Sequence, residues 1–226
     1  MNIQRIFVYG ASGHGKVVAD ILLARKDCEF AGFIDDGSQL QGASVLGHPV
    51  FGDGPWLQQE SRRVRVRVAL GVADNKIRHR LAEKCRSWGI EAISLVHPTA
   101  SVSDSARLEP GTIVMAQAAI NPNARIGRGA IVNTAAVVEH DVEIGEFGHV
   151  APNSAMAGAS RLGAFSMLGI GAVVIQCVRV GSNTIVGAGS VVSRDIGNDV
   201  VAYGVPARVV RSTGISVTDS EEPNHR

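Results

Sequence analysis

The 226-residue chain sets 22 Lys and Arg against 21 Asp and Glu, a formal charge of +1, so no global field draws it to nucleic acid or an anionic membrane. No apolar run approaches the ~20 residues of a membrane span, no signal-peptide pattern precedes the first apolar run, and Cys28, Cys85 and Cys177 lack paired spacing, which argues against a disulfide framework or zinc ribbon and fits a reducing cytoplasm. With 4 % aromatic residues and 26 glycines, small and β-branched side chains must build the core.

Residues 1–95 alternate strand and helix signals. Ile6 to Tyr9 is a short apolar run ending in glycines, the form of a buried parallel strand. Lys16 to about Arg25 follows with helical spacing (Val17, Val18, Ile21, Leu22), and Ala31–Ile34 reads as a second strand ending at Asp35-Asp36-Gly37. A Gly/Ser-rich loop runs to about Gly47, and Pro55–Glu60 suits a short helix with proline in its first turn. Val64, Val66 and Val68 alternate with Arg63, Arg65 and Arg67; without aromatic residues for base stacking, this is a solvated sheet edge or a subunit contact rather than a nucleic-acid surface. Asp74 is placed to cap a helix over 75–88 that Gly89 stops, and Ala92–Leu95 is a last strand. Together these elements predict a small parallel Rossmann-like α/β sheet.

From Val96 to Val192 an aliphatic residue then stands at every sixth position, seventeen times without a failure. Neither a helix nor a simple strand has period six; a hexapeptide parallel β-helix does. With the periodic residue i inward, i+4 also points inward, i+1 and i+5 point outward, and i+2 and i+3 form the turn. Position i+4 is accordingly small (Ala118, Ala124, Ala130, Ala136), and i+5 is often polar (Arg107, Arg125, Glu143, His149, Arg161, Arg179). The domains expected are 1–95, 96–210 and a disordered polar tail over 211–226.

This repeat resembles the left-handed β-helix acyltransferases, which are trimeric and bind acyl-CoA between neighbouring prisms. Adding Gly10-Ala11-Ser12-Gly13-His14-Gly15, the strand end at Asp35-Asp36 and the stretch from Asn133 to Ala159, the chain resembles bacterial sugar N-acetyltransferases of the PglD and NeuD type. The resemblance implies a left-handed coil of three hexads, a homotrimer, acetyl-CoA as co-substrate without a metal, and a nucleotide-linked amino sugar as acceptor. A sialic acid O-acetyltransferase is the alternative within the family. A non-catalytic nucleotide-sugar-binding protein, a zinc β-helix hydratase using His97, His140 and His149, and a dehydrogenase are the readings from other classes.

His140 occupies a turn position and Asp141 follows it. An imidazole suits removal of a proton from an attacking amine near neutral pH, and an adjacent carboxylate orients the ring. The family carries its base here, usually followed by Glu, so Asp141 is a shorter-reaching departure. His149 lies half a coil away, on a different prism face, so a neighbouring subunit would have to unite the two. The resemblance puts His149 and the outward Asn133 near the acetyl group and acceptor, and the Gly158 N–H, one coil above His140, against the thioester oxygen. It also assigns Gly187, Ala188, Gly204 and Pro206 to CoA. Gly10, Ser12, Gly13 and His14 open a helix whose N–H groups suit a phosphate, although their spacing departs from the dinucleotide fingerprint. With Asp35, Asp36 and Asn75 they form the expected nucleotide-sugar pocket; a purely structural turn and cap is the competing reading.

Overall fold

A computed structural model describes residues 5–214. The first unit contains β1 (Arg5–Tyr9), α1 (Gly13–Ala24), β2 (Glu29–Ile34), β3 (Ser44–Val45), β4 (His48–Gly52), α2 (Gly54–Ser61), β5 (Arg67–Leu70), α3 (Asn75–Ser87) and β6 (Glu91–Ala92). Its sheet order is β3-β4-β2-β1-β5-β6, parallel except for the β3–β4 hairpin. The chain builds outward on one side of β1 and then returns to the other side as β5. This reversal places the loops after β1 and β5 at a switch point, where doubly wound sheets open a crevice for ligands.

Local signals explain most of these elements. The Asp53 side chain accepts from Trp56 N to start α2, and Asp74 accepts from Ile77 N to start α3. Gly89 ends α3 at φ +73. Four expectations are corrected. Helix α1 begins at Gly13, so half of the glycine motif is already helical. The Gly/Ser loop contains the hairpin, turned by Leu46 and Gly47 at positive φ. Only Arg67 of the alternating arginines lies in a strand, and β5 is interior, between β1 and β6, not an edge. The expected strand over 92–95 divides, because β6 joins the first sheet while Leu95–Val96 opens the repeat.

Seventeen two-residue strands follow, from β7 (Leu95–Val96) to β23 (Val191–Val192), each ending on one of the seventeen periodic aliphatics. From β7 to β20 each strand pairs in parallel with the one 18 residues on, as in Ile113↔Ile131, Ala119↔Val137 and Arg125↔Glu143. Three sheets therefore make the faces of a β-helix around a core of buried periodic residues and small i+4 residues. The strand β24 (Val200–Gly204) continues the first face and turns into antiparallel β25 (Ala207–Ser212). Strand structure thus reaches Ser212, and the expected tail from 215 onward lies outside the described residues.

The outward positions sort by face with a period of 18. One face carries Leu95, Ile113, Ile131, His149, Met167 and Ile185; the second Ser101, Ala119, Val137, Ala155, Val173 and Val191; the third Arg107, Arg125, Glu143, Arg161 and Arg179. On the apolar face, Leu95, Ile113 and Ile131 are fully buried among Ile6, Val8, Val18 and Leu22 of the first unit. Each such burial contributes roughly 1.5–3 kcal/mol. Arg128, on a β-helix turn, adds an ion pair to Glu83 of α3 at 2.7 Å.

Candidate active site

His140 sits at the prism edge between the second and third faces, in the turn from β14 (Val137–Val138) to β15 (Glu143–Ile144). The third turn position adopts positive φ along the coil, and Asp141 takes it at φ +58. Asp is enriched in this region, which Ala135, Phe147 and Cys177 also adopt along the coil. The conformation folds the carboxylate back, so Oδ2 accepts the His140 Nδ1–H at 2.8 Å. The short acid therefore reaches the ring. Oδ1 accepts from Asn123 Nδ2 at 3.3 Å, one coil below. The hydrogen bond from His140, then that from Asn123, hold the Asp141 carboxyl below the usual carboxylate range. With Nδ1 donating, Nε2 keeps its lone pair. That nitrogen faces Gly158: a Cβ there would lie 2.5 Å from His140 Nε2. The absence of a side chain at Gly158 is what lets the imidazole rest against the next coil. An open groove of about 590 Å³ reaches Asp141 along the charged face, past Arg107, Asn123 and Arg125.

His149 does point outward from its prism face, yet it is only 5 % exposed, because the first unit covers it. Asn133 accepts Thr134 N–H through Oδ1, so its Nδ2 faces His149 Nε2 at 3.0 Å. The His14 ring lies 6.2 Å from that of His149, edge to face. Burial first, then the Arg78 guanidinium, pushes His149 down to about 3 and His14 to about 4. Both rings are neutral in the folded protein. His14 Nε2 is buried without a hydrogen-bond partner.

The loop at the switch point divides into structural and open positions. Gly10 has φ +112 and a Cβ there would meet the Gly71 carbonyl at 2.7 Å; a Cβ on Gly15 would press still closer on the Gly10 carbonyl, at 1.9 Å. Gly13 faces open space, and Ser12 caps α1 without a side-chain hydrogen bond. Asp35 accepts from Ala11 N and Gly37 N, both at 2.8 Å, and so shapes the loop. Asp36 accepts from Tyr9 Oη at 2.9 Å, Gly54 N at 2.8 Å and Lys84 Nζ at 3.2 Å. Burial opposes its charge, but these donors outweigh burial and hold it low. Asn75 is the residue expected to help close this pocket. It is the first residue of α3, and its Nδ2 donates to the Phe165 and Ser166 carbonyls while Oδ1 accepts from Arg78. Its amide braces the first unit on the β-helix, and the residue lines a pocket with Ala73, Phe165 and Met167.

The model of the PglD N-terminal domain matches residues 5–85. Perosamine N-acetyltransferase from Caulobacter crescentus, solved as a His-to-Asn mutant in complex with CoA and GDP-perosamine, is 40 % identical, with 93 % of this chain and 98 % of that one covered and a TM-score of 0.88. The chain belongs to the PglD-type sugar N-acetyltransferase family. The acetyltransferase domain of PglB from Neisseria gonorrhoeae FA1090, in complex with acetyl coenzyme A, is 35 % identical over 92 % of this chain and all of that one, with a TM-score of 0.86. UDP-N-acetylbacillosamine N-acetyltransferase of Bacillus subtilis (strain 168) is 37 % identical over 112 residues, 48 % of this chain and 50 % of that protein. The chain spans about half the length of the curated relatives it matches.

In this member of the PglD-type family the residues expected at the site fall on two different prism edges. His140, Asp141 and Gly158 share one. Asn133 begins the turn at another edge, and Gly187 and Ala188 occupy the same turn three coils higher. There a Cβ on Gly187 would meet Tyr203 at 2.7 Å, Gly204 N donates to Ser190 Oγ, and Val205–Pro206 is cis. His149 lies on the covered face opposite the His140 edge. One chain therefore brings together His14, Asn133 and His149, and separately His140, Asp141 and Gly158, but not the two groups. Sequence reasoning missed Arg78, the largest fully buried side chain, which bonds both units. Its signal was an Arg at the fourth position of a capped helix, in line with the buried Ala82 and Cys85 four and seven residues on. Among the described residues no group of three or more His, Cys, Asp or Glu is placed to hold a metal ion, and no helix is long and apolar enough to cross a membrane.

Proposed function

We propose that the protein is an acetyl-CoA-dependent N-acetyltransferase acting on the amino group of a nucleotide-linked amino sugar, a UDP- or GDP-linked 4-amino-4,6-dideoxy sugar, in the cytoplasm. The observation that carries this reading is the His140 edge: a ring oriented by Asp141, its free Nε2 against a glycine one coil above. The amine nitrogen attacks the thioester carbon, the C–S bond breaks and CoA departs. His140 Nε2 takes the proton from the nitrogen. The Gly158 N–H meets the oxygen as charge develops, a contact of a kind that contributes roughly 3–4 kcal/mol to acyl transfer. Among the described residues Asp141 is the hydrogen-bond partner of the ring and no Ser or Cys bonds it, and the transfer is direct. Gly10, Ser12, Gly13 and His14 hold the nucleotide phosphates at the start of α1, with Asp35 and Asp36 shaping the crevice, in residues 1–95. Residues 96–210 carry the chemistry, with Gly187, Ala188, Gly204 and Pro206 along CoA. The separation of the two residue groups supports a homotrimer, in which the His140 edge of one copy meets the Asn133 and His149 side of the next.

The test follows thiol release from acetyl-CoA with UDP-, GDP- and dTDP-linked 4-amino sugars, and with free sialic acid, for wild type and His140→Asn. Acetylation of one nucleotide sugar, lost in the variant, is expected. Turnover of sialic acid alone would replace the reading with O-acetylation, and equal rates in the two proteins would remove His140 as the base.

A further inference from the structure

The corner that carries His140 is a column of third turn positions spaced 18 residues apart: Asn123 at φ +60, Asp141 at φ +58, Ala159 at φ +56 and Cys177 at φ +61. Their backbone is tied coil to coil, with Asp141 N donating to the Pro122 carbonyl at 3.0 Å and Ala159 N to that of His140 at 2.9 Å. Asn123 N in turn donates to Ser105 Oγ at 3.1 Å, so the amide side chain starts from a fixed rung. Successive rungs stand about 4.8 Å apart, within reach of short polar side chains. Asn123 Nδ2 donates to Asp141 Oδ1 at 3.3 Å, and Asp141 Oδ2 accepts the His140 Nδ1–H at 2.8 Å. An ionised carboxylate only accepts, so the Asn123 amide must present its NH2 here.

The His140 and Asp141 side chains are 60 % and 53 % exposed, so packing does not fix the carboxylate. Exposed pairs of this kind hold together weakly. The groove beside them carries competing cations: Arg107 and Arg125 line it together with Asp141. A carboxylate that turned to either guanidinium would leave Nδ1 without its acceptor, and the ring would be free to rotate or to take the other tautomer. By occupying Oδ1, the Asn123 amide leaves Oδ2 to the ring. Among the described residues Asn123 and His140 are the two side chains that bond this carboxylate. Ala159, on the rung above, offers no side-chain donor.

We propose that Asn123 is a positioning residue: its amide fixes which oxygen of Asp141 meets His140, and so holds the imidazole with Nδ1 protonated and Nε2 turned to Gly158. It touches no reacting atom. An amide does not titrate, so the hold persists at every pH at which Asp141 is ionised. The charged groups around the pair are Glu139, whose Oε2 accepts from His140 N at 3.4 Å, and Asp104, Arg107, Arg125 and Glu143 of the groove. The use of this hold in acetyl transfer rests on His140 as the base; the hold itself does not.

Two substitutions test it. Asn123→Ala removes the donor, and the turn accepts alanine, since Ala135 and Ala159 take the same turn position at φ +55 and +56. Asn123→Asp keeps the shape and sets a second carboxylate against the first. In the thiol-release assay Asn123→Ala is expected to lower kcat about three- to tenfold, with the KM of both substrates within about twofold. Asn123→Asp is expected to lower kcat further. The acid limb of kcat/KM separates positioning from a structural role. It should move to lower pH in Asn123→Ala, where the carboxylate supports the protonated ring less, and to higher pH in Asn123→Asp, where negative charge is added. Ring nitrogen spectra of ¹⁵N-histidine-labelled protein, assigned with His140→Asn, read the hold directly. At about pH 8 wild type should show His140 protonated at Nδ1, and Asn123→Ala a mixture of tautomers. A folded Asn123→Ala protein with the wild-type ring spectrum, or with kcat within about twofold and an unmoved acid limb, overturns the proposal. Spectra as expected, with no sugar acetylated by the wild type, would sink the functional reading and leave the positioning standing.

Discussion

Replacing Gly158 by Ala isolates the geometry of the His140 edge. The added Cβ would lie 2.5 Å from Nε2, 2.6 Å from Cε1 and 3.2 Å from Cδ2 of the imidazole. Ordinary contact between such atoms begins near 3.5 Å, so the ring must withdraw by about 1 Å. It can do so, because the His140 side chain is 60 % exposed. A displacement of that size in a reacting group costs on the order of 10²-fold in rate, about 2.7 kcal/mol of transition-state stabilisation. Gly158 does not occupy the left-handed region, so Ala fits its backbone and restricts the unfolded chain, which is worth about +0.4–1 kcal/mol of stability. Rate and stability are thus expected to move in opposite directions: kcat/KM falls about a hundredfold in the thiol-release assay while Tm holds or rises slightly. A variant that keeps kcat/KM within about threefold of wild type would refute the idea that the base is positioned against this glycine.

Three further outcomes follow from the buried groups. Because His149 and His14 titrate at about 3 and about 4 in the folded chain against 6.5 in the unfolded one, the native state binds fewer protons below pH 6.5. Stability is therefore full above that pH and drops as pH falls toward those values, by at most about 1.4 kcal/mol per pH unit for each ring. Thermal melts from pH 7 to 5 should slope accordingly and flatten in His149→Gln; equal slopes would contradict the assignment. Asn75→Ala removes two bonds between the units and should lower stability by about 1–3 kcal/mol while leaving the nucleotide-sugar KM within about threefold, whereas a ligand role would raise that KM first. Gly10→Ala should destabilise by about 2 kcal/mol or more through its φ of +112 and the Gly71 carbonyl, while Gly13→Ala should melt like wild type and bind nucleotide sugar more weakly by calorimetry. Similar melting of the two variants would show that the loop glycines do not divide in this way.

The period of six was a local property, and it survived folding intact, because each hexad makes one strand and one turn with its own neighbours in the coil. Residue identity therefore determined the seventeen strands, the inward column from Val96 to Val192, and the turn placement of His140 with Gly158 one coil above. The caps at Asp53 and Asp74 and the stop at Gly89 are equally local, and equally legible. Signals that needed a partner distant in sequence were not. A period of 18, hidden inside the period of six, separates an apolar face from a charged one, and only docking of the first unit shows that His149 belongs to the covered one. Exposure is a property of what lies opposite. An outward histidine thus became a buried neutral ring, a loop asparagine became a brace to Phe165 and Ser166, and Arg78 became a cation held by the carbonyls of two units. The sequence by itself determined which imidazole, carboxylate and glycine share an edge and at what height along the coil they stand. The tertiary structure decided their protonation and their company, because desolvation and the field of a buried guanidinium arise only when the two units close on each other.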